Sequence, residues 1–195
     1  SGEVTVTDID ADGVLTYDEA LQAAHKVYCL AGYVTTESSS GLFVKKLWGV
    51  DNGGSYYFYK NGTPLSASVG SKESSVSEGD HLYAVVLGDT ASYSDIYGKF
   101  DQTSLNVTAN EAFTLTLSGT QSDIATGENI EIPAISGVQL GIWERGTFKD
   151  IDGAVTDENG KASITLSKNG TFIITVEGSM GKSPIMPPVC TVTVE

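Results

Sequence analysis

The sequence predicts a small α+β domain followed by an all-β sandwich. Three observations carry that expectation. Helical periodicity is confined to one stretch near the N-terminus, an aromatic-rich block of strands follows it, and the second half alternates apolar and polar residues between Gly-containing turns. The 195 residues leave room for one large domain or two small ones with separate cores. The boundary is expected near residue 105, giving domains 1–104 and 105–195.

In the first domain, Glu3 to Thr7 alternates with Val4 and Val6 on one side and reads as a short strand. Leu21, Ala24 and Tyr28 recur at helical spacing after Asp18-Glu19, and Gly32 supplies a stop, so this stretch reads as an amphipathic helix. Leu42 to Trp48, Ser55 to Lys60 and His81 to Leu87 read as strands. Asp51-Asn52-Gly53-Gly54, Asn61-Gly62 and Ser77-Glu78-Gly79-Asp80 are turns between them. The helix is expected to pack on one face of a mixed sheet. Residues 89–104 show no clean period and read as a connection.

In the second domain, strands are expected at Phe113–Leu117, Ile130–Ile132, Val138–Trp143, Thr147–Thr156, Ala162–Leu166, Thr171–Val176 and Val189–Val194. The turn signals are Ser118-Gly119, Asp152-Gly153, Asn159-Gly160 and Asn169-Gly170. Regular short strands with no helical pattern argue for a sandwich.

Charge narrows the function classes. The formal net charge is −14, with 25 acidic against 11 basic residues, a field that repels nucleic acid and anionic membrane surfaces. The longest apolar run, Leu82 to Leu87, is far short of a bilayer span. The Ser1-Gly2 start reads as a cut end rather than a native one. The two cysteines, Cys29 and Cys190, lack CxxC spacing. They read either as a long-range disulfide or as two buried thiols, with the thiols ahead.

The most specific pattern is Asp8-Ile9-Asp10-Ala11-Asp12-Gly13-Val14-Leu15-Thr16-Tyr17-Asp18-Glu19. A calcium loop of the EF-hand type takes oxygen from positions 1, 3, 5, 7, 9 and 12 and needs Gly at 6. Those positions are Asp8, Asp10, Asp12, Val14 (through its carbonyl), Thr16 and Glu19, with Gly13 at the sharp turn. Close carboxylates repel one another unless a cation sits among them, and Ca²⁺ prefers hard oxygen ligands. Leu15 is expected to face inward and anchor the loop. The competing reading is an Asp-Gly turn that caps the helix. The loop is entered from a strand and has no second copy, so a structural ion between strand and helix is expected, not a paired sensor.

Other candidates carry less. His25 and His81 read as surface or capping groups. No nucleophile elbow is present, Cys29 has no nucleophile context, and no pair of acids is singled out, so the chain is not expected to be an enzyme. Trp48, Tyr57 and Tyr59 mark a possible ligand platform, set against a core reading of the same aromatics. Asp157-Glu158-Asn159-Gly160 lacks ligand spacing and reads as a hairpin turn. Three segments match the glycosylation acceptor pattern, beginning at Asn61, Asn106 and Asn169; two are Asn-Gly turns, which explain them better.

Three resemblances add to this. Asp8 to Glu19 resembles single EF-hand and dockerin-type loops of secreted bacterial proteins. Gly41-Leu42-Phe43, Trp48-Gly49, Tyr56 to Gly62 and Val76 to Leu82 resemble the β-grasp domain related to the transcobalamin C-terminal domain. Val155 to Ala162, with Gly170-Thr171-Phe172, resembles immunoglobulin-like or prealbumin-like surface modules. The expected architecture is therefore an α+β β-grasp-like first domain followed by an all-β immunoglobulin-like sandwich. Together they imply a monomeric, calcium-stabilised, extracellular or bacterial cell-surface module for adhesion, display or spacing. Its partner would be a protein or glycan surface. The alternative is a domain that binds carbohydrate or a cobalamin-like ligand on the first-domain aromatics. The last strand, Thr191 to Val194, has no Asn, so no Lys–Asn isopeptide bond is expected.

Overall fold

The computed structural model describes residues 2–123, 126 and 128–195 and is mostly β. It divides into two compact units, Ser1–Thr90 and Ala91–Glu195. No helix among the described residues is long and apolar enough to cross a membrane.

The first unit is built around helix α1 (Tyr17–Tyr28). Thr16 caps it: its hydroxyl accepts from the Glu19 backbone N–H at 3.4 Å, and the Glu19 carboxylate accepts from the Thr16 N–H at 2.8 Å. Asp18 and Glu19 in the first turn, with His25 and Lys26 in the last, complement the helix dipole. The buried face is Tyr17, Ala20 and Leu21, packed on Val44, Leu47, Tyr56, Val69 and Val76. The face expected from Leu21, Ala24 and Tyr28 is rotated, and Tyr28 is 51 % exposed. Tyr17, whose hydroxyl donates to the Tyr59 carbonyl, sets the facing instead.

Strands β1 (Val34–Ser38) and β2 (Gly41–Lys46) form an antiparallel hairpin. Strands β3 (Tyr56–Lys60), β4 (Thr63–Pro64) and β5 (Leu82–Val86) form a separate antiparallel sheet in the order β4-β3-β5. Asn61 and Gly62, both at positive φ, make the two-residue turn between β3 and β4. Among the described residues these strands form two separate antiparallel sheets rather than the expected mixed sheet. Glu3 to Thr7 keeps its side-chain alternation, with Val4 and Val6 half-buried, but its backbone joins no ladder.

The second unit contains β6 (Ile96–Phe100), β7 (Ser104–Val107), β8 (Ala112–Ser122), β9 (Asn129–Ile132), β10 (Gln139–Glu144) and β11 (Thr147–Val155). It continues with β12 (Lys161–Thr165), β13 (Gly170–Val176), β14 (Ser179–Met180), β15 (Ser183–Met186) and β16 (Cys190–Val194). One sheet runs β11-β10-β13-β16-β7 and the other β12-β8-β6-β15-β14, with β9 also on β8. Both contribute to one core, including Leu115, Leu117 and Ile164 from the second sheet and Leu140, Ile174 and Val192 from the first.

Several sequence expectations change here. Residues 89–104 are not merely a connection: β6 pairs with β8 and β15, so the division falls at Thr90/Ala91 rather than near residue 105. Ser118-Gly119 is no turn but lies inside β8, where Gly119 stands opposite Gly98. A Cβ on Gly119 would lie 2.6 Å from Ile96 Cγ2, so this glycine serves close packing. Asp152-Gly153 lies inside β11, at a bulge where the register against β10 shifts. There the Gln139 amide donates to the carbonyls of Leu140, Ile151 and Ala154. Asp157 to Lys161 is a turn, closed by Gly160 N–H to the Asp157 carbonyl, but not the hairpin turn expected, because β11 and β12 lie in different sheets.

Cys29 and Cys190 are free thiols, one in each unit. Cys190 is fully buried, and burial, with Asp101 as a second cause, pushes its thiol up to about 11.

Candidate metal centre

The loop before α1 folds on its own carboxylates. Asp8 accepts from Asp12 N–H at 3.2 Å through Oδ1 and from Gly13 N–H at 2.9 Å through Oδ2. Asp10 accepts from Asp12 N–H at 3.1 Å, and Asp12 accepts from Val14 N–H at 2.9 Å. Ala11 (φ 59°) and Gly13 (φ 84°) supply the left-handed backbone that turns the chain back. Glu19 reaches back from the first turn of α1. Its Oε1 accepts from Ile9 N–H at 2.6 Å, and its Oε2 from the Thr16 hydroxyl at 3.0 Å as well as the capping N–H.

The result is a convergence of like charges. Asp8, Asp10 and Glu19 each bring an oxygen to within 4.8 Å of the others, and Glu19 is only 5 % exposed. Such a set of hard oxygens suits a divalent cation of the Ca²⁺ class. Asp12, the fourth expected carboxylate, is outside that group. Its Oδ2 lies 2.9 Å from the ammonium of Lys72, which opens a short 3₁₀ turn at Lys72–Ser74. The Lys72 hydrogen bond, then that from Val14, holds the Asp12 carboxyl below its usual range, and Asp12 raises Lys72 in return. Thr16 is occupied as the helix cap. Val14 is half-buried beside it.

The back of the loop is braced by the same segment. The Leu15 carbonyl accepts from Val76 N–H at 2.7 Å, Thr16 forms a β-bridge with Ser75, and Asp18 N–H donates to the Val69 carbonyl at 2.9 Å. Leu15 packs against the core of the first unit, in keeping with the anchoring role expected of it. Neither Lys72 nor this brace was visible in the sequence, because nothing local to residues 69–76 marks them as neighbours of residues 12–18.

The aromatic platform is not assembled as an open face. Tyr59 is buried at 6 % exposure and meets Tyr57 and Tyr83 edge-on. Trp48 stacks on His25 and donates its indole N–H to the Ala84 carbonyl. His25 is likewise not a surface group: it is buried in α1, whereas His81 is exposed. Asp18, in the first turn of the same helix, is also buried, accepting from the Tyr33 hydroxyl at 2.6 Å and Gln22 at 2.7 Å. Burial and, second, that carboxylate raise the Tyr33 phenol far above its ordinary range.

No protein-family description, curated protein or solved structure matches the chain.

Proposed function

We propose that this chain is a calcium-stabilised, non-catalytic module of a bacterial cell-surface or secreted protein, serving adhesion, display or spacing toward a protein or glycan partner. The observation that carries it is the convergence of Asp8, Asp10 and Glu19 inside a loop whose ligand positions all hold oxygen donors. Asp8, Asp10, Asp12 and Glu19 would bind through carboxylates, Val14 through its carbonyl, and Thr16 through its hydroxyl or a water. The cation would offset carboxylate repulsion and tie the chain entering the loop to the start of α1.

The finer architecture belongs to the same proposal. The hairpin, helix and three-stranded sheet of the first unit support a β-grasp-like reading. In the second unit the first two strands lie in different sheets, β6 beside β8 and β7 parallel to β16, which supports an immunoglobulin-like sandwich.

Calorimetric titration of the metal-stripped chain with Ca²⁺ tests the reading. One site is expected, weaker for Mg²⁺, and lost in Asp8→Asn combined with Glu19→Gln. Lys72 makes a sharper prediction. Its ammonium competes for Asp12, so Lys72→Met should tighten Ca²⁺ binding by about two- to tenfold. The same substitution in an Asp12→Asn background should change nothing. Unaltered affinity in Lys72→Met alone would mean that Asp12 serves the cation with Lys72 still attached.

A further inference from the structure

His25 sits where its protonation state is fixed by its neighbours. Its Nδ1 lies 2.7 Å from the Leu21 carbonyl, and its Nε2 lies 3.0 Å from the backbone N–H of Trp48. A carbonyl only accepts and a peptide N–H only donates, so Nδ1 carries the proton and Nε2 is bare. The Trp48 indole stacks on one side at 4.0 Å between ring centres and the Tyr33 ring on the other at 5.0 Å. The residue is 4 % exposed.

The partner segment is a tight turn. Leu47 and Val50 exchange both backbone hydrogen bonds, and Trp48 (φ 50°) and Gly49 (φ 82°) between them hold left-handed backbone. For Trp48 that conformation is strained and persists only where contacts impose it. Three contacts do so: His25 Nε2, the indole bond to Ala84, and Gly49 N–H to the Gly32 carbonyl at 2.9 Å.

We propose that His25 is an acid-sensitive latch: neutral, it holds the Leu47–Val50 turn on α1, and on taking a proton at Nε2 it releases that turn. The added proton would face the Trp48 N–H, so two donors would meet and the hydrogen bond would be lost. The charge would also be buried between two rings. Stacking on an indole favours a cation, but it does not restore the lost acceptor. Tyr17, Asp18, Glu19, Lys26 and Tyr28 share its helix, Cys29 follows it, and Tyr33 packs on it with its hydroxyl bound to Asp18. The Leu47–Val50 turn has no titratable side chain, and β5 contributes the Ala84 carbonyl.

Burial lowers the His25 pKa, against a smaller opposing effect of the Leu21 carbonyl. With the folded value below the unfolded one near 6.5, His25 contributes fully above that pH, and its contribution falls as pH drops through and below it. The latch is independent of the cation reading.

The test uses the full chain carrying Trp143→Phe, which leaves Trp48 as its one tryptophan. Ring resonances of His25 and Trp48 emission are followed from about pH 7.5 to 4.5. The expected result is an Nδ1–H tautomer at neutral pH. Trp48 emission should then change in step with His25 protonation, a step absent in His25→Gln. An Nε2–H tautomer would overturn the proposal, as would emission that stays constant while the ring protonates. If His25→Gln does not fold, the His25 titration in the otherwise wild-type ring environment still decides.

Discussion

Glu19→Ala is expected to destabilise the first unit by about 3 kcal/mol even with all metal chelated. The carboxylate accepts from Ile9 N–H, Thr16 N–H and the Thr16 hydroxyl, and it is almost fully buried. Truncation leaves two backbone donors without an acceptor. A buried orphaned donor costs roughly 1–3 kcal/mol, and loss of a helix cap about 1. Glu19→Gln keeps the volume and one acceptor oxygen but turns an amide N–H₂ toward a donor, so it should lose less. Urea unfolding in excess chelator measures both, with Tyr33→Phe, which removes a different acidic contact of the helix, as a comparison. A cost below about 0.5 kcal/mol for Glu19→Ala would show that the loop needs no carboxylate at this position to hold its shape.

Leu117→Ala is expected to destabilise the second unit by about 2–5 kcal/mol. Leu117 is wholly buried within β8, the strand that pairs with β6, β9 and β12. Its own N–H donates to the Gly160 carbonyl and its carbonyl accepts from Ile135 N–H, so the backbone is held from both sides. A chain pinned in this way cannot collapse readily into the vacated space, which places the cost toward the upper end of the range. Urea unfolding of the full chain followed by tryptophan emission, with Trp143 in the second unit and Trp48 in the first, should show a lower midpoint at unchanged slope for the second unit's transition. A loss under about 1 kcal/mol would mean that the two sheets can close the gap.

Much of the fold was legible because local pattern and tertiary role agree. The alternation in Phe113–Leu117 and Ala162–Leu166 corresponds to strands whose inward residues form the core. Helical spacing after Asp18-Glu19 placed α1, whose start the structure fixes with a capping box between Thr16 and Glu19. The misses have physical causes. Gly119 resembles a turn residue because glycine permits turns, yet it was selected by the lack of room beside Ile96. Gly153 marks a bulge within a strand, for which an Asp-Gly pair gives the same local signal as a hairpin. β6 carries Tyr97, Gly98 and Lys99 in a short segment with no period to read, and its pairing depends on residues far along the chain.

The site divides in the same way. The positions of Asp8, Asp10, Asp12 and Glu19 were readable from spacing, and three of the four converge. The fourth is held by Lys72, a contact between segments distant in sequence that no spacing rule reaches. His25 was misplaced because a lone histidine on a helix gives no indication of what will pack over it. Trp48 covers it only because the Leu47–Val50 turn adopts left-handed backbone.

The most direct test of the central claim is thermal unfolding of the full chain in Ca²⁺ and then in excess chelator. An ion bound only by the folded state, at about a hundred times its dissociation constant, adds ~2.7 kcal/mol of stability. The account predicts an upward shift of the first unit's transition in Ca²⁺, reversed by chelator and absent in Asp8→Asn combined with Glu19→Gln. Identical transitions in Ca²⁺ and chelator would contradict it and leave Asp8–Glu19 as an acidic turn that caps a helix.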